Sequence, residues 1–447
     1  MTRVSSALLT AILTLLPGGV SAEIKLPAVI DSHMVLQRDV PLPIWGQADA
    51  GEQVTLTLGT GSATTRADKD GRWSVLLPAM KADGKSHSLT IAGSNTITLQ
   101  DILIGEVWVG SGQSNMEWQL QSTQGAPQAI AAADSPRIRL FHVPKVQQSE
   151  PQADVNAKWK ICTPKTIPTF SAVLYYYGKK LHEELDVPIG LINSSWGGSP
   201  IEPWTIADGK SGGMYNGMIA PLQPFAVRGA IWYQGETNVL QKNGLAYYDR
   251  MQALISGWRD SWSQDLPFYF VQIAPWSGRY EPGQLPALWE AQAKSLKIQD
   301  TGMAVITDLV DNIADIHPRN KLDVGNRLAL WALAKNYGRK VVYSGPLYQS
   351  MKIEGNSIHL TFAHAAGLKS RDGNPLNEFQ IAGADGRFVA ATALVKGHTV
   401  VVSATGVSGP RQVRFGWHKV ANPNLVNAAG LPAAPFQTEK WSGGTGE

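Results

Sequence analysis

The chain has 447 residues, too many for one ordinary hydrophobic core, so two or three domains are expected. Hydrophobic residues make up 43% and charged residues 17%, the balance of a folded globular protein and not of a disordered chain. The 39 basic residues nearly match the 36 acidic ones and are spread along the sequence, which excludes a nucleic-acid groove and a polybasic membrane patch.

Residues 1–22 read as an export signal, with Arg3 as the positive start, Ala7 to Leu16 as the apolar run and Val20-Ser21-Ala22 as the peptidase site. The run is short for a membrane span. A buried N-terminal strand is the alternative; under the export reading the mature chain begins near Glu23 and works in the periplasm or outside the cell. Residues 23–101 read as β. Val54, Leu56 and Leu58 alternate with polar residues, as do Trp73, Val75 and Leu77, then Leu89 and Ile91, then Ile97 and Leu99. Asp68-Lys69-Asp70-Gly71 marks a turn, and short strands at this spacing predict a small β-sandwich.

The pattern changes near Ile102. Strands are predicted at Glu106 to Gly110, Ile189 to Asn193, Ala230 to Tyr233, Phe268 to Ile273 and Met303 to Thr307. Helices are predicted at Ala172 to Leu185, Leu245 to Trp258, Leu288 to Ile298 and Asn320 to Tyr337. This alternation over 102–340 implies a mostly parallel sheet with helices on both faces, whose function gathers in loops at the carboxyl ends of the strands. Cys162 is the only cysteine, so no internal disulfide is possible; its apolar neighbours Trp159 and Ile161 favour a buried structural position over a reactive thiol. From 341 to 447 the chain turns β-rich again, with strands expected at Ser357 to Phe362, Glu378 to Ile381 and His398 to Ser403.

Four strand-end loops carry unusual polar residues. In Gly110-Ser111-Gly112-Gln113-Ser114-Asn115-Met116 the glycines permit a sharp turn, and a serine opening the next helix can place its own N–H beside a developing oxyanion. Met116 stands where a nucleophile elbow would have its second glycine, and Ser114 alone reads equally as a helix cap. In Asn193-Ser194-Ser195-Trp196-Gly197-Gly198-Ser199 paired glycines let backbone amides approach a ligand, although an ordinary strand-to-helix turn looks the same. In Trp232-Tyr233-Gln234-Gly235-Glu236-Thr237-Asn238 the Asn238 amide is a candidate oxyanion donor. In Asp311-Asn312-Ile313-Ala314-Asp315-Ile316-His317-Pro318 an aspartate two residues before a histidine can hold the imidazole tautomer that leaves Nε2 free to accept a serine proton. No His-Glu-x-x-His, cysteine pair, calcium loop or phosphate loop occurs, so neither a catalytic metal nor another cofactor is expected.

Taken in order, these loops resemble the SGNH hydrolases, and within them the sialate O-acetylesterase-like carbohydrate esterases. The matching pieces are Gly112-Gln113-Ser114-Asn115-Met116, Ser195-Trp196-Gly197-Gly198-Ser199 with Pro203-Trp204, and Tyr215-Asn216-Gly217-Met218-Ile219 leading into Gly229 to Asn238. Asp315-Ile316-His317-Pro318-Arg319-Asn320-Lys321, Asp31 to Arg38 and Pro432 to Phe436 complete the set. The resemblance implies a flavodoxin-like three-layer α/β/α sandwich, here with an accessory N-terminal β-sandwich and a C-terminal β-rich region. It implies Ser114 as nucleophile, His317 as general base and Asp315 as its orienting carboxylate. The oxyanion hole would be the N–H groups of Ser114 and Gly198 with the Asn238 side chain. Gln113, Gln234, Glu236 and Trp196 would line or brace the pocket, with contact to the histidine an alternative for Glu236. Relatives carry a β-rich insertion between the second and third motifs, whereas here Tyr215-Asn216 follows Pro203-Trp204 within about a dozen residues.

The expected activity is therefore removal of acetyl groups from a carbohydrate through an acetyl-enzyme. The substrate would be an acetylated plant oligosaccharide of xylan or xyloglucan type, or O-acetylated sialic acid. A non-catalytic glycan-binding protein and an SGNH lipase or thioesterase are the competing readings. Trp118, Trp196, Trp204 and Trp276 are candidates to stack on sugar rings, with core packing as their alternative.

Overall fold

The computed structural model describes residues 23–438; the proposed export signal lies outside the described residues. The N-terminal region is all β: β1 (Val35–Gln37), β2 (Leu42–Gln47), β3 (Gln53–Leu58), β4 (Gly61–Arg66), β5 (Arg72–Leu77), β6 (His87–Ala92) and the start of β7 (Thr96–Gly112). β2 pairs with β5, while β3 pairs with β4 and β6, and β6 with β7. The alternating residues turn inward as the sequence implies, with Val54, Leu56, Leu58, Trp73, Leu77, Leu89 and Ile91 all buried. β4 carries no apolar alternation, only Ser-Ala-Thr-Thr, and is held by its full register on β3.

β7 runs for 17 residues through the change of pattern expected at Ile102 and is one uninterrupted strand. Its first half belongs to the N-terminal sheet. Its second half, buried on both faces, becomes a central strand of a larger, mostly parallel sheet. That sheet adds β8 (Ser135–His142), β9 (Trp159–Cys162), β10 (Ile189–Ser195), β13 (Gly229–Tyr233), β14 (Phe268–Gln272) and β15 (Thr301–Val305), with β11 (Ile206–Ala207) and β12 (Lys210–Ser211) forming a separate small hairpin. The order is β15-β14-β13-β7-β10-β8-β9, parallel except at the β9 edge. The helices are α1 (Ser114–Glu117), α2 (Ala126–Ala131), α3 (Ala172–Leu185), α4 (Gly213–Met218), α5 (Glu236–Leu240), α6 (Tyr247–Trp262), α7 (Gln284–Lys294) and α8 (Lys321–Lys335).

Large aromatic side chains divide the two faces of the sheet. Trp108 of β7 packs edge-on against Tyr177 of α3, and Tyr269 of β14 stacks on Trp331 of α8. On the other face Trp232 of β13 meets Trp204 and Trp258 of α6. Burying such a ring removes about 200 Å² from water, worth roughly 5 kcal/mol before the cost of ordering it. Trp204 therefore belongs to the core and is not a sugar platform. Cys162 is buried, its Sγ–H points at the Ala133 carbonyl, and burial pushes the thiol up to about 12, which leaves it inert.

At the C-terminal end two four-stranded antiparallel sheets form. One contains Leu347–Glu354, Ser357–Ala363, Thr399–Ser403 and Thr392–Lys396; the other Val389–Ala390, Phe379–Ala382, Gln412–Phe415 and Phe436–Gln437. They enclose a hydrophobic cluster of their own, built from Ile358, Leu360, Val400, Val402, Ile381, Val413 and Phe415. No helix among the described residues is long and apolar enough to cross a membrane.

Candidate active site

β7, β10 and β13 lie side by side and end at one level, since Gly112 is in register with both Ser195 and Tyr233. The chain leaves β7 with neighbours on either side, so this is where connections diverge and a crevice opens. Three of the four loops singled out from the sequence emerge there together. Gly112 adopts φ +135°, and a Cβ on it would sit 2.2 Å from the Tyr233 carbonyl oxygen, so only glycine permits the turn that follows. The Tyr233 oxygen accepts the Gln113 N–H, and the Gly112 oxygen accepts that of Trp196, tying the loops to one another.

Ser114 opens α1, half-buried, and its Oγ lies 2.9 Å from Nε2 of His317 in the fourth loop. Asp315 Oδ1 accepts the backbone N–H of His317 at 2.9 Å and lies 3.5 Å from its Nδ1, long for a hydrogen bond. Trp118 stacks on the imidazole, with ring centroids 4.6 Å apart and planes 20° from parallel. That contact, and not a sugar, occupies this face of Trp118. Burial pushes the His317 pKa down, nearby Lys321 pushes it further, and Asp315 only partly opposes them. The imidazole is thus neutral near pH 7 and able to take the Ser114 proton.

Gly198 takes φ +77°, a conformation that favours glycine, and neither its N–H nor that of Ser114 is used in a hydrogen bond among the described residues. Gly197 N–H donates to Glu117, whose other carboxylate oxygen pairs with Lys145. Asn238 is itself held on two sides. Its Oδ1 accepts the Ile201 N–H, which fixes the amide orientation, and its nitrogen lies 3.2 Å from each Glu202 oxygen. It therefore anchors the glycine loop, and because a single carboxylate engages only one of the two amide hydrogens, its second N–H is left for another acceptor.

The remaining expected residues form a buried polar floor. Gln113 Oε1 accepts from Gln234 and from the N–H groups of Gly235 and Thr237, while Gln234 also donates to Asn238 and Ser199. Glu236 does not touch the histidine; its Oε1 accepts from Asn115 at 2.6 Å. The Asn115 amide also donates to the Ile316 carbonyl, and its oxygen accepts from Lys321. Burial pushes the Glu236 carboxyl up and the Lys321 ammonium down to about 7. Asn115 thus joins the residue after Ser114 to the residue before His317. Trp196 is half-buried beside this floor, and Trp276 donates its indole N–H to Ala314.

Lys321, Glu117 and Glu202 carry site contacts that pattern alone did not assign. For Lys321 a signal exists: it shares the buried stripe of α8 with Val324, Gly325 and Leu328, an unusual place for a charge.

The profile of a family described as "Carbohydrate esterase, sialic acid-specific acetylesterase" matches residues 104–334. Among curated relatives, the sialate O-acetylesterase of Rattus norvegicus is 29% identical over 443 residues, covering 79% of this chain and 82% of that one. The Homo sapiens protein of the same name is 30% identical over 411 residues, covering 78% of each. A solved structure of a carbohydrate acetylesterase from Xanthomonas citri superposes with a TM-score of 0.90 at 40% identity, covering 94% of this chain and 100% of that one.

Proposed function

Since the chain belongs to the sialic acid-specific acetylesterase family of carbohydrate esterases, we propose that Ser114, His317 and Asp315 carry out its ester hydrolysis on neutral, O-acetylated glycans. The observation that carries the assignment of residues is the 2.9 Å approach of Ser114 Oγ to His317 Nε2. Ser114 attacks the acetyl carbonyl as His317 takes its proton; the N–H groups of Ser114 and Gly198 receive the oxyanion. His317 returns the proton to the departing sugar oxygen, and water activated by the same imidazole releases acetate. Asp315 holds the ring chiefly through the His317 backbone N–H and tightens on Nδ1 when the imidazolium forms.

A neutral sugar is favoured over sialic acid by the cations flanking the site. Lys145 pairs with Glu117, Arg250 with Glu202 and Arg319 with Asp311, so each already faces a carboxylate before any substrate carboxylate arrives. We place the reaction outside the cytoplasm on the strength of Arg3, the apolar run Ala7 to Leu16 and Val20-Ser21-Ala22.

Acetate release compared across acetylated xylan, xyloglucan, pectin and O-acetylated sialic acid tests the substrate. Turnover on a neutral glycan well above that on the sialic acid is expected. Preference for the sialic acid or for pectin, which both bear carboxylates, would overturn the neutral assignment, and inactivity on all four would overturn the glycan assignment. The pH profile gives a second check. Because His317 must be neutral and its pKa lies below 6.5, the acid limb of kcat/KM should fall below that value. At that pH Lys321 is charged, so Lys321→Met removes a cation that disfavours imidazolium, and the limb should move to higher pH. An unmoved limb would mean that Lys321 does not set the base.

A further inference from the structure

The loop between β14 and α7 leaves the carboxyl end of the sheet and connects two parts of the molecule that share no other role in the chemistry. Its consecutive backbone N–H groups point opposite ways: Trp276 N–H donates to the Lys419 carbonyl at 2.8 Å, and Ser277 N–H to the Ile313 carbonyl at 2.8 Å. Lys419 belongs to the C-terminal β-region; Ile313 belongs to the loop that ends in Asp315 and His317. The side chains repeat this arrangement. Lys419 Nζ donates to the carbonyls of Gly278 and Tyr280 at 2.7 and 2.8 Å, and the Trp276 indole donates to Ala314 at 3.0 Å. The turn that holds Lys419 is itself fastened, because Glu378 accepts from the His418 ring and from the Asn422 N–H.

Building on the assignment of His317 as the base, we propose that Lys419 and Trp276 are positioning residues that set the placement of the His317 loop from the C-terminal region. A half-buried lysine ammonium donating to two carbonyls makes charge-assisted hydrogen bonds that outweigh the loss of its side-chain freedom. It thereby gives the 276–280 segment one conformation. From that segment two hydrogen bonds, on successive residues 313 and 314, fix the backbone immediately before Asp315. The histidine loop is held from its other side by Asn115 on Ile316, so the 276–277 segment, which Lys419 holds, and Asn115 clamp it between them. Reaction geometry is steep in such placements, where a shift of about 1 Å costs up to ~100-fold.

The test compares Lys419→Met, which keeps the packing stem, and Trp276→Phe, which keeps a ring but loses the indole N–H, in the full-length enzyme. Each should lower kcat for acetate release about tenfold, with KM changed less than about twofold and Tm nearly unchanged. Labelling of Ser114 by a small serine-directed phosphonate should slow in parallel. If both act through one relay, the double variant should lose scarcely more than the worse single one. Wild-type kcat in folded Lys419→Met, or a double variant whose losses multiply, would overturn the proposal. Should Lys419→Met fail to fold, an unchanged kcat in Trp276→Phe overturns it alone. Wild-type turnover abolished by Ser114→Ala upholds the esterase assignment whatever these variants do, so the two failures are distinguishable.

Discussion

Ser114→Ala is expected to lower kcat for acetate release by roughly 10^5-fold while leaving Tm and glycan binding nearly unchanged. The loss is large because no other group can take over. Ser114 Oγ is the hydroxyl that meets His317 Nε2, and Cys162 is buried with its thiol held protonated. His317→Ala should cost a similar factor, and the double variant little more, since nucleophile and base act as one unit. The residual rate would come from the backbone donors of Ser114 and Gly198, which alanine leaves in place. A Ser114→Ala enzyme that still released acetate would place the chemistry on another residue. Full binding without turnover in both wild type and variant would revive the glycan-binding reading.

The largest stability effect is expected far from that site. Glu106, on β7, is fully buried, and its carboxylate accepts from Gln37, Arg38 and Arg228. Glu106→Ala would leave two arginines facing each other with no anion between them. Removing one partner of a buried pair typically costs 3–5 kcal/mol, and because both arginines retain access to water, about 3 kcal/mol is expected. In a protein of this size that corresponds to a fall in Tm of roughly 3 °C. Glu106→Gln, which keeps part of the hydrogen bonding, should lie between. Thermal unfolding followed by circular dichroism separates the cases. An unchanged Tm in Glu106→Ala would show that the arginines find water without cost.

Much of the site was legible because its chemistry sits in short runs. Ser114 follows an apolar strand, Gly197-Gly198 follows another, and Asp315 and His317 are two residues apart, so spacing alone brought them into view. Helix and strand positions over 172–185, 229–233, 268–272 and 321–335 were close for the same reason: long apolar periods leave few alternatives. What escaped depends on partners distant in sequence. β8 was not seen because Arg139 interrupts its apolar pattern. The arginine is tolerated there only because Asp101, 38 residues away, meets its guanidinium with both carboxylate oxygens. Glu202, which accepts from the Asn238 amide, lies 36 residues away and leaves no local sign of that contact. Trp118 and Trp204 read alike in sequence, as aromatics near the candidate loops that either stack on sugar or pack in the core, yet one backs the imidazole and the other lies in the core. Lys419 has no local signature at all, since its carbonyl partners are about 140 residues away.

The 17 residues of β7 also set a limit on modularity. The N-terminal sheet and the segment that leads to Ser114 share one rod of backbone, so neither can be exchanged at a linker in the manner of beads on a string. A chain begun at residue 102 would start mid-strand and lack β1, whose Val35, Leu36 and Gln37 pair with Leu103, Ile104 and Gly105, leaving that edge of β7 bare. The junction that leads to Ser114 is therefore a continuous strand at which the N-terminal sheet has no linker to part from.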